Sequence, residues 1–224
     1  METKSLAIMP SFEGQAEALK EQMKNMAPAD ILAVFSKEAA DLGFSDVAKN
    51  VLKPGSHAPL FTLPNATGAL ISLADALTKG NVVLTFYRGV WCPYCNLQLK
   101  IYQEILPLIE ALGASLLAVS PNTPDHSLSM KEKHALAYEV LSDFDNQAAK
   151  QYKIVFSQSD AVAEVGKKVG ADIAAFNGTA KREIPVPATF IIDRQGTIRF
   201  VFANGDYTKR VEPKAVLDAL ATLK

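Results

Sequence analysis

The spacing of apolar residues divides the chain into a helical amino-terminal part and a part in which strands and helices alternate. Over residues 11–52, apolar residues recur every three or four positions, which predicts amphipathic helices. Pro28 predicts a break between two helices and Gly43 the end of the second. We therefore expect a helical extension over residues 1–52 and a single domain over residues 53–224. The apolar stripe favours packing on that domain, or on a second subunit in a homodimer, over a mobile arm.

Short apolar runs separated by helical spacing predict an α/β domain. Val82–Tyr87 predicts a buried strand, residues 97–112 a helix and Ala114–Ser120 a second buried strand, which together form a βαβ unit. Val186–Asp193 and Thr197–Ala203 flank a tight turn and predict a β-hairpin, and a helix closes the chain. This order of elements indicates a thioredoxin-like fold.

Two further segments carry weaker patterns. Leu60–Leu63 and Leu70–Leu73 predict a short hairpin around a turn. Residues 171–182 lack a clear period, and we expect a loop-rich insertion there.

Composition and charge exclude several classes of function. The chain has 49% hydrophobic and 21% charged residues with a formal net charge of −1, as in ordinary globular proteins. Without a basic block, binding to nucleic acid or to an anionic membrane has no electrostatic support. No apolar run is long enough to cross a bilayer, and the amino terminus has too short an apolar stretch for a secretory signal. We expect a cytoplasmic protein.

Candidate chemistry centres on Cys92 and Cys95, the two cysteines of the chain, which lie between a buried strand and a helix. The free amides and partial positive charge of a helix start favour a thiolate over a thiol. A second sulfur one turn away could close a disulfide. The arrangement predicts redox chemistry in which Cys92, at an exposed helix start, attacks and Cys95 resolves the intermediate.

A metal site and an inert pair of core cysteines are the alternatives. Zinc needs two further ligands, and the spacing of the available histidines, His57, His126 and His134, fits no zinc pattern. No phosphate-binding glycine loop follows a strand, so we expect neither a metal nor a nucleotide or flavin cofactor.

Three neighbours of the cysteine pair are candidate site residues. Arg88 could lower a thiolate pKa or polarise a peroxide oxygen, and a solvated surface arginine is an equally good interpretation. We expect Trp91 at the rim of the site, shielding the sulfur. Pro187 precedes a buried strand, which favours a cis-proline facing the cysteines over a trans-proline at a strand start.

From residue 53 to the end, the chain resembles the peroxiredoxins of the alkyl hydroperoxide reductase and thiol-specific antioxidant family. The segments that carry the resemblance are Pro54–Leu63, Val83–Cys92, Leu117–Ser120, Leu141–Asp143 and Thr189–Gly196. The resemblance implies the peroxiredoxin-type three-layer sandwich. It also implies thiol-dependent reduction of hydrogen peroxide or organic hydroperoxides, with thioredoxin or glutaredoxin as the reductant.

The active-site motif departs from the family pattern. Peroxiredoxins place a proline, a threonine and the peroxidatic cysteine where this chain has Arg88, Cys92 and Cys95. They also place an arginine where this chain has Pro187. The attacking cysteine is therefore Cys95 by the family pattern and Cys92 by its place at the helix start, and both alternatives remain open.

Three hypotheses of function follow. A thiol peroxidase would cycle between the Cys92–Cys95 dithiol and disulfide, and the family resemblance favours it. A thioredoxin-type thiol–disulfide oxidoreductase would need no peroxide, and the Cys-x-x-Cys pair with Pro187 favours it. A redox-sensing binding module would use disulfide formation to alter the helical extension. We expect the peroxidase.

Overall fold

The structure is a computed structural model that describes residues 9–223. Its strands are β1 Thr62–Pro64, β2 Leu70–Ser72, β3 Asn81–Phe86, β4 Ala114–Ser120, β5 Glu139–Ser142, β6 Val155–Ser157, β7 Glu183–Pro185, β8 Ala188–Ile192 and β9 Ile198–Ala203. The central sheet has the order β5-β4-β3-β8-β9. Strands β3, β4 and β5 run parallel, whereas β8 pairs antiparallel with both β3 and β9. The predicted βαβ unit and hairpin are confirmed.

The helices are α1 Phe12–Met26, α2 Ala29–Phe44, α3 Leu73–Lys79, α4 Pro93–Ala111, α5 Pro124–Lys133, α6 Gln147–Gln151, α7 Asp160–Lys168, α8 Ile173–Asn177 and α9 Pro213–Ala221. The Ser11 side chain caps α1 by accepting from the Gly14 backbone N–H. The predicted break falls at Pro28, which is the residue before α2. Helix α4 continues through Pro107.

Alternating side chains of the strands divide the core into two layers, one on each face of the sheet. Val83 and Ile191 face one layer, which also holds buried residues of α4 and α9. Val82 and Ile192 face the other layer, which also holds buried residues of α3 and α6. Successive strand residues point to opposite faces of the sheet. Since these strands are nearly continuous apolar runs, both faces are apolar, and helices cover both. The predicted α/β three-layer sandwich is confirmed.

The amino-terminal helices pack on the rest of the chain. Helix α1 lies against α4, and Phe12 and Ala16 are buried in the same apolar cluster as α4 residues. Helix α2 meets the segment before α9 so closely that a side chain at Gly205 would collide with the Leu42 carbonyl. Both helices therefore make contacts within the same chain.

The expectation of a loop-rich insertion over residues 171–182 is wrong in part. Helix α8 lies within it, and Asp172 caps this helix by accepting from the Ala174 N–H. Immediately after it, β7 pairs with β6, with Val155 opposite Pro185. Helix α8 is too short for a periodic signal, and the β6–β7 pair joins segments that lie far apart in the sequence. Neither element therefore has a local pattern.

Candidate active site

Strand β3 and helix α4 place the two cysteines. The chain leaves β3 after Phe86 and enters α4 at Pro93, with Cys92 as the residue that precedes the first helical turn and Cys95 within that turn. The fixed backbone angle of Pro93 suits the first helical position. Both sulfurs are free thiols, so the structure describes the reduced form. The predicted position of the pair at a helix start is confirmed.

The predicted exposure of Cys92 is wrong. Cys92 is 1% exposed and Cys95 is 0% exposed. Both belong to a buried cluster that includes Phe12 from α1 and Tyr207 from the segment before α9. The helix start is buried because these two elements pack over it.

The environment of Cys95 favours a thiolate. Burial raises the pKa of this thiol, but neighbouring groups outweigh burial and hold the pKa below its ordinary value. The Cys92 thiol donates a hydrogen bond to the Cys95 sulfur, the Arg210 guanidinium lies beside it, and the Arg88 backbone amide also donates to it. Arg210 Nη2 lies 3.5 Å from Cys95 Sγ. The positive end of α4 adds to these effects.

Cys92 has the opposite character. Burial raises the pKa of its thiol, and its hydrogen bond to Cys95 raises that pKa further, while Arg88 and Arg210 oppose both effects. The directions of the two pKa shifts therefore favour the thiol form of Cys92 and the thiolate form of Cys95. This division matches the assignment that follows from the family pattern.

Arg210 is a site residue that no pattern in the sequence predicted. It is 7% exposed, and its Nε donates to Gln98 Oε1 at 2.9 Å. Its Nη1 donates to the backbone carbonyls of Lys209 and Tyr207. Gln98 lies one turn after Cys95 on α4, so the same helix positions both the sulfur and the partner of the arginine. Arg210 precedes α9 in a segment without any periodic pattern, so no local signal marks it.

Arg88 is buried, and the solvated surface interpretation is wrong. It is 2% exposed, and its Nη2 lies 3.2 Å from Glu38 Oε2 of α2. Its Cζ lies 3.7 Å from the ring centre of Tyr207 and 4.9 Å from that of Trp91. Burial lowers the pKa of Arg88, but the nearby Cys92, Tyr207 and Glu38 outweigh burial and raise it, so the side chain is charged. A second guanidinium thus stands at the site.

Trp91 and Pro187 lie at the edges of this arrangement. Trp91 is half-buried, and its indole lies directly over Gly89, where a side chain would collide with it. Pro187 is buried and precedes β8, whose first residue Ala188 pairs with Phe86. The expectation of a cis peptide bond at Pro187 is wrong, because every peptide bond in the described part of the chain is trans. A trans bond is the usual state before proline, and a strand start needs no ladder N–H there.

Over residues 9–223, no three His, Cys, Asp or Glu side chains are grouped so that they could hold a metal ion. In the same range, no helix is both long and apolar enough to cross a membrane.

A dithiol at the start of a helix, beside a thioredoxin-like sheet, defines a thiol-dependent redox enzyme. Residues 54–201 match the AhpC/TSA family, and the chain belongs to this family.

Relatives with similar sequences are peroxiredoxins by name. The chain is 28% identical over 151 residues to a putative peroxiredoxin bcp of Coxiella burnetii, a match that covers 67% of this chain and 88% of the relative. It is 28% identical over 153 residues to peroxiredoxin Bcp of Escherichia coli K12, covering 68% and 86% of the two chains.

Solved structures show the same fold. Peroxidoxin BcpB of Mycobacterium tuberculosis matches with a TM-score of 0.61 at 20% identity, over 77% of this chain and 99% of that one. A peroxiredoxin-like protein of Aquifex aeolicus matches with a TM-score of 0.63 at 19% identity, over 79% and 91%. The predicted class, a peroxiredoxin-like thiol peroxidase, is confirmed by the two peroxiredoxin relatives with similar sequences.

Proposed function

We propose that this chain reduces peroxides through a dithiol and disulfide cycle in which Cys95 attacks and Cys92 resolves. The observation that carries the proposal is the thiolate character of Cys95, whose sulfur lies 3.5 Å from Arg210 Nη2. The thiolate, not the thiol, is the nucleophile in such reactions. A similar structure supports the substrate class. It is the bacterioferritin comigratory protein of Xanthomonas campestris, described for its alkyl peroxide reduction activity, with a TM-score of 0.55 and 18% identity over 73% of this chain and 92% of that one.

The first step forms a sulfur–oxygen bond and breaks the oxygen–oxygen bond. The Cys95 thiolate attacks one peroxide oxygen, becomes a sulfenic acid and releases hydroxide or alkoxide. The Cys92 thiol donates to the Cys95 sulfur, so its proton lies next to the reacting atoms and can pass to the leaving oxygen. Water or an alcohol leaves, and Cys92 becomes the thiolate.

The second step closes the disulfide. The Cys92 thiolate attacks the sulfenic sulfur of Cys95, and the hydroxide that leaves takes a proton from solvent to form water. One peroxide has then been reduced by two electrons, and the dithiol has been oxidised by two.

The arginines supply positive charge where negative charge develops. Arg210 faces the attacking sulfur, and Arg88 lies close enough to both sulfurs to affect the pKa of each. Preorganised positive groups in a buried site stabilise developing charge far better than water-exposed ones. We assign Trp91 to the rim and Pro187 to the adjacent sheet edge of the same site.

A dithiol reductant restores the enzyme. We propose thioredoxin or glutaredoxin for this role, because a disulfide between neighbouring cysteines is opened by attack of an external thiolate.

We also propose that residues 1–52 form an extension to the domain of residues 53–224. We propose further that the protein acts in the cytoplasm and that its amino-terminal helices form a homodimer contact.

Stopped-flow fluorescence of Trp91, the single tryptophan of the chain, tests the proposal on mixing reduced protein with hydrogen peroxide. We expect oxidation at least a thousandfold faster than that of a free thiol at the same pH. Cys95→Ser is the control and should abolish the fast phase. Oxidation no faster than a free thiol, together with catalysed reduction of insulin, would instead establish a thiol–disulfide oxidoreductase.

A further inference from the structure

The buried cysteine pair raises the question of how a substrate reaches it. Neither sulfur is exposed beyond 1%. The elements that cover this end of α4 include α1 and α2, which together we name the N-terminal arm (Phe12–Phe44). The arm makes specific contacts with residues that touch the site.

The first turn of α1 is fixed to the segment that carries Arg210. Glu212 Oε2 accepts from the Phe12 backbone N–H at 3.0 Å, and Glu212 Oε1 accepts from the Glu13 N–H at 2.8 Å. The Phe12 ring centre lies 5.9 Å from Arg210 Cζ. Since Arg210 contacts Cys95, a single side chain separates α1 from the attacking sulfur.

Helix α2 is fixed to the other side of the site. Glu38 forms the buried ion pair with Arg88, and the Tyr207 hydroxyl donates to the Phe35 carbonyl at 2.7 Å. The Tyr207 ring packs against the Arg88 guanidinium. The arm therefore contributes one charged side chain to the site and covers it.

The attachment of the arm is nevertheless limited. The fully buried residues of α1 are Phe12 and Ala16, and those of α2 are Glu38 and Ala39. Leu19, Met23 and Leu42 also pack against the core but are only partly buried. Elements with few buried apolar contacts open locally at a free energy well below that of global unfolding. By this argument the arm is expected to open more readily than the central sheet unfolds.

We propose that the N-terminal arm is a size filter that determines which oxidants reach Cys95. This inference rests on the proposed peroxidase function and adds its substrate class. Docked, the arm admits hydrogen peroxide, a molecule little larger than water, through small fluctuations of the packing. Bulky organic hydroperoxides and partner proteins reach the sulfur only when the arm opens, so the docked enzyme prefers hydrogen peroxide.

The test compares two glutamate substitutions on α1 in the full chain. Ala16→Glu places a charge on the buried face of the helix and should undock the arm, whereas Ala18→Glu makes the same change at an exposed position. Rate constants are measured with hydrogen peroxide and with cumene hydroperoxide. We expect the ratio of the cumene hydroperoxide rate to the hydrogen peroxide rate to rise at least tenfold in Ala16→Glu. In Ala18→Glu it should stay within twofold of wild type.

Two outcomes would overturn the filter. One is an equal ratio in all three proteins; the other is a wild type that reacts with cumene hydroperoxide as fast as with hydrogen peroxide. If Ala16→Glu does not fold, as judged by circular dichroism, Glu212→Ala replaces it, because it removes both hydrogen bonds to the first turn of α1.

Alkylation separates failure of the filter from failure of the peroxidase. Reduced proteins are treated with iodoacetamide, which is small, and with pyrenyl maleimide, which is bulky. The filter predicts that undocking accelerates the maleimide reaction at least tenfold relative to the iodoacetamide reaction. A slow reaction of wild type with hydrogen peroxide would remove the peroxidase, while an unchanged alkylation ratio would remove the filter.

Discussion

Replacing Arg210 by methionine should raise the pKa of the Cys95 thiol and delay formation of its thiolate to higher pH. The substitution keeps an unbranched side chain of similar reach and removes the positive charge. In wild type, Arg210 Nη2 lies 3.5 Å from Cys95 Sγ, in a site from which water is largely excluded. The Arg210 charge is one of the influences that hold the Cys95 pKa below its ordinary value.

The distance between Arg210 Nη2 and Cys95 Sγ sets the expected size of the pKa shift. Two unit charges at this separation attract by about 5 kcal/mol at an effective dielectric constant of about 20. Since one pKa unit corresponds to about 1.4 kcal/mol, the upper limit of the shift is about 3.5 units. Arg88 stays in place and water enters beside the methionine, so we expect a rise of about 2 units.

The direction in which the titration midpoint moves follows from the lowered pKa of Cys95. A thiolate forms as the pH rises through the pKa, and an ordinary cysteine reaches that point at about 8.5. Wild-type Cys95 forms its thiolate below that value, and Arg210→Met should move the midpoint upward toward it. The assay is the ultraviolet absorbance of the thiolate, recorded against pH on the reduced protein.

Arg194→Met is the matched control, because Arg194 lies on the exposed turn between β8 and β9. It should leave the midpoint within a few tenths of a unit of wild type. Arg210 has no such influence on Cys95 if Arg210→Met titrates like wild type, or if the midpoints of both variants shift equally.

Two further predictions concern the N-terminal arm. Glu38→Ala leaves the buried Arg88 without the carboxylate that pairs with it. In urea titrations it should lower the free energy of unfolding by about 3 kcal/mol. A loss below about 1 kcal/mol would show that the Arg88–Glu38 ion pair contributes little to stability. Gly205→Ala places a methyl group against the Leu42 carbonyl and should speed cleavage of the arm by trypsin about tenfold. Gly14→Ala is its control, since the added group meets only ordinary contacts, and equal cleavage of the two variants would contradict the prediction.

Local patterns were sufficient for the scaffold of the site. The unit of β3, α4 and β4 was predictable because buried parallel strands are nearly continuous apolar runs and the helix between them has a regular period. The position of Cys92 and Cys95 at the start of α4 followed from the same pattern. Helix propensity and strand periodicity are properties of a few neighbouring residues, so these elements can be predicted from the local sequence.

The environment of the sulfurs was not predictable from local patterns, because it is built from distant segments. Arg210 is 115 positions from Cys95, and Glu38 is 50 positions from Arg88. Neither residue has a periodic or motif signal, and both are polar residues of a kind usually found at the surface. The burial of Cys92 has the same origin, because α1 and the segment before α9 come together over it only in the folded chain.

Trapping of the sulfenic acid identifies the attacking cysteine. Reduced Cys92→Ser and Cys95→Ser proteins are mixed with hydrogen peroxide in the presence of a dimedone probe, and the modified residue is located by mass spectrometry. We expect rapid labelling of Cys95 in Cys92→Ser, which lacks the resolving thiol. In Cys95→Ser we expect no labelling beyond that of a free thiol. Rapid labelling of Cys92 in Cys95→Ser, with Cys95 unreactive in the other variant, would contradict this expectation.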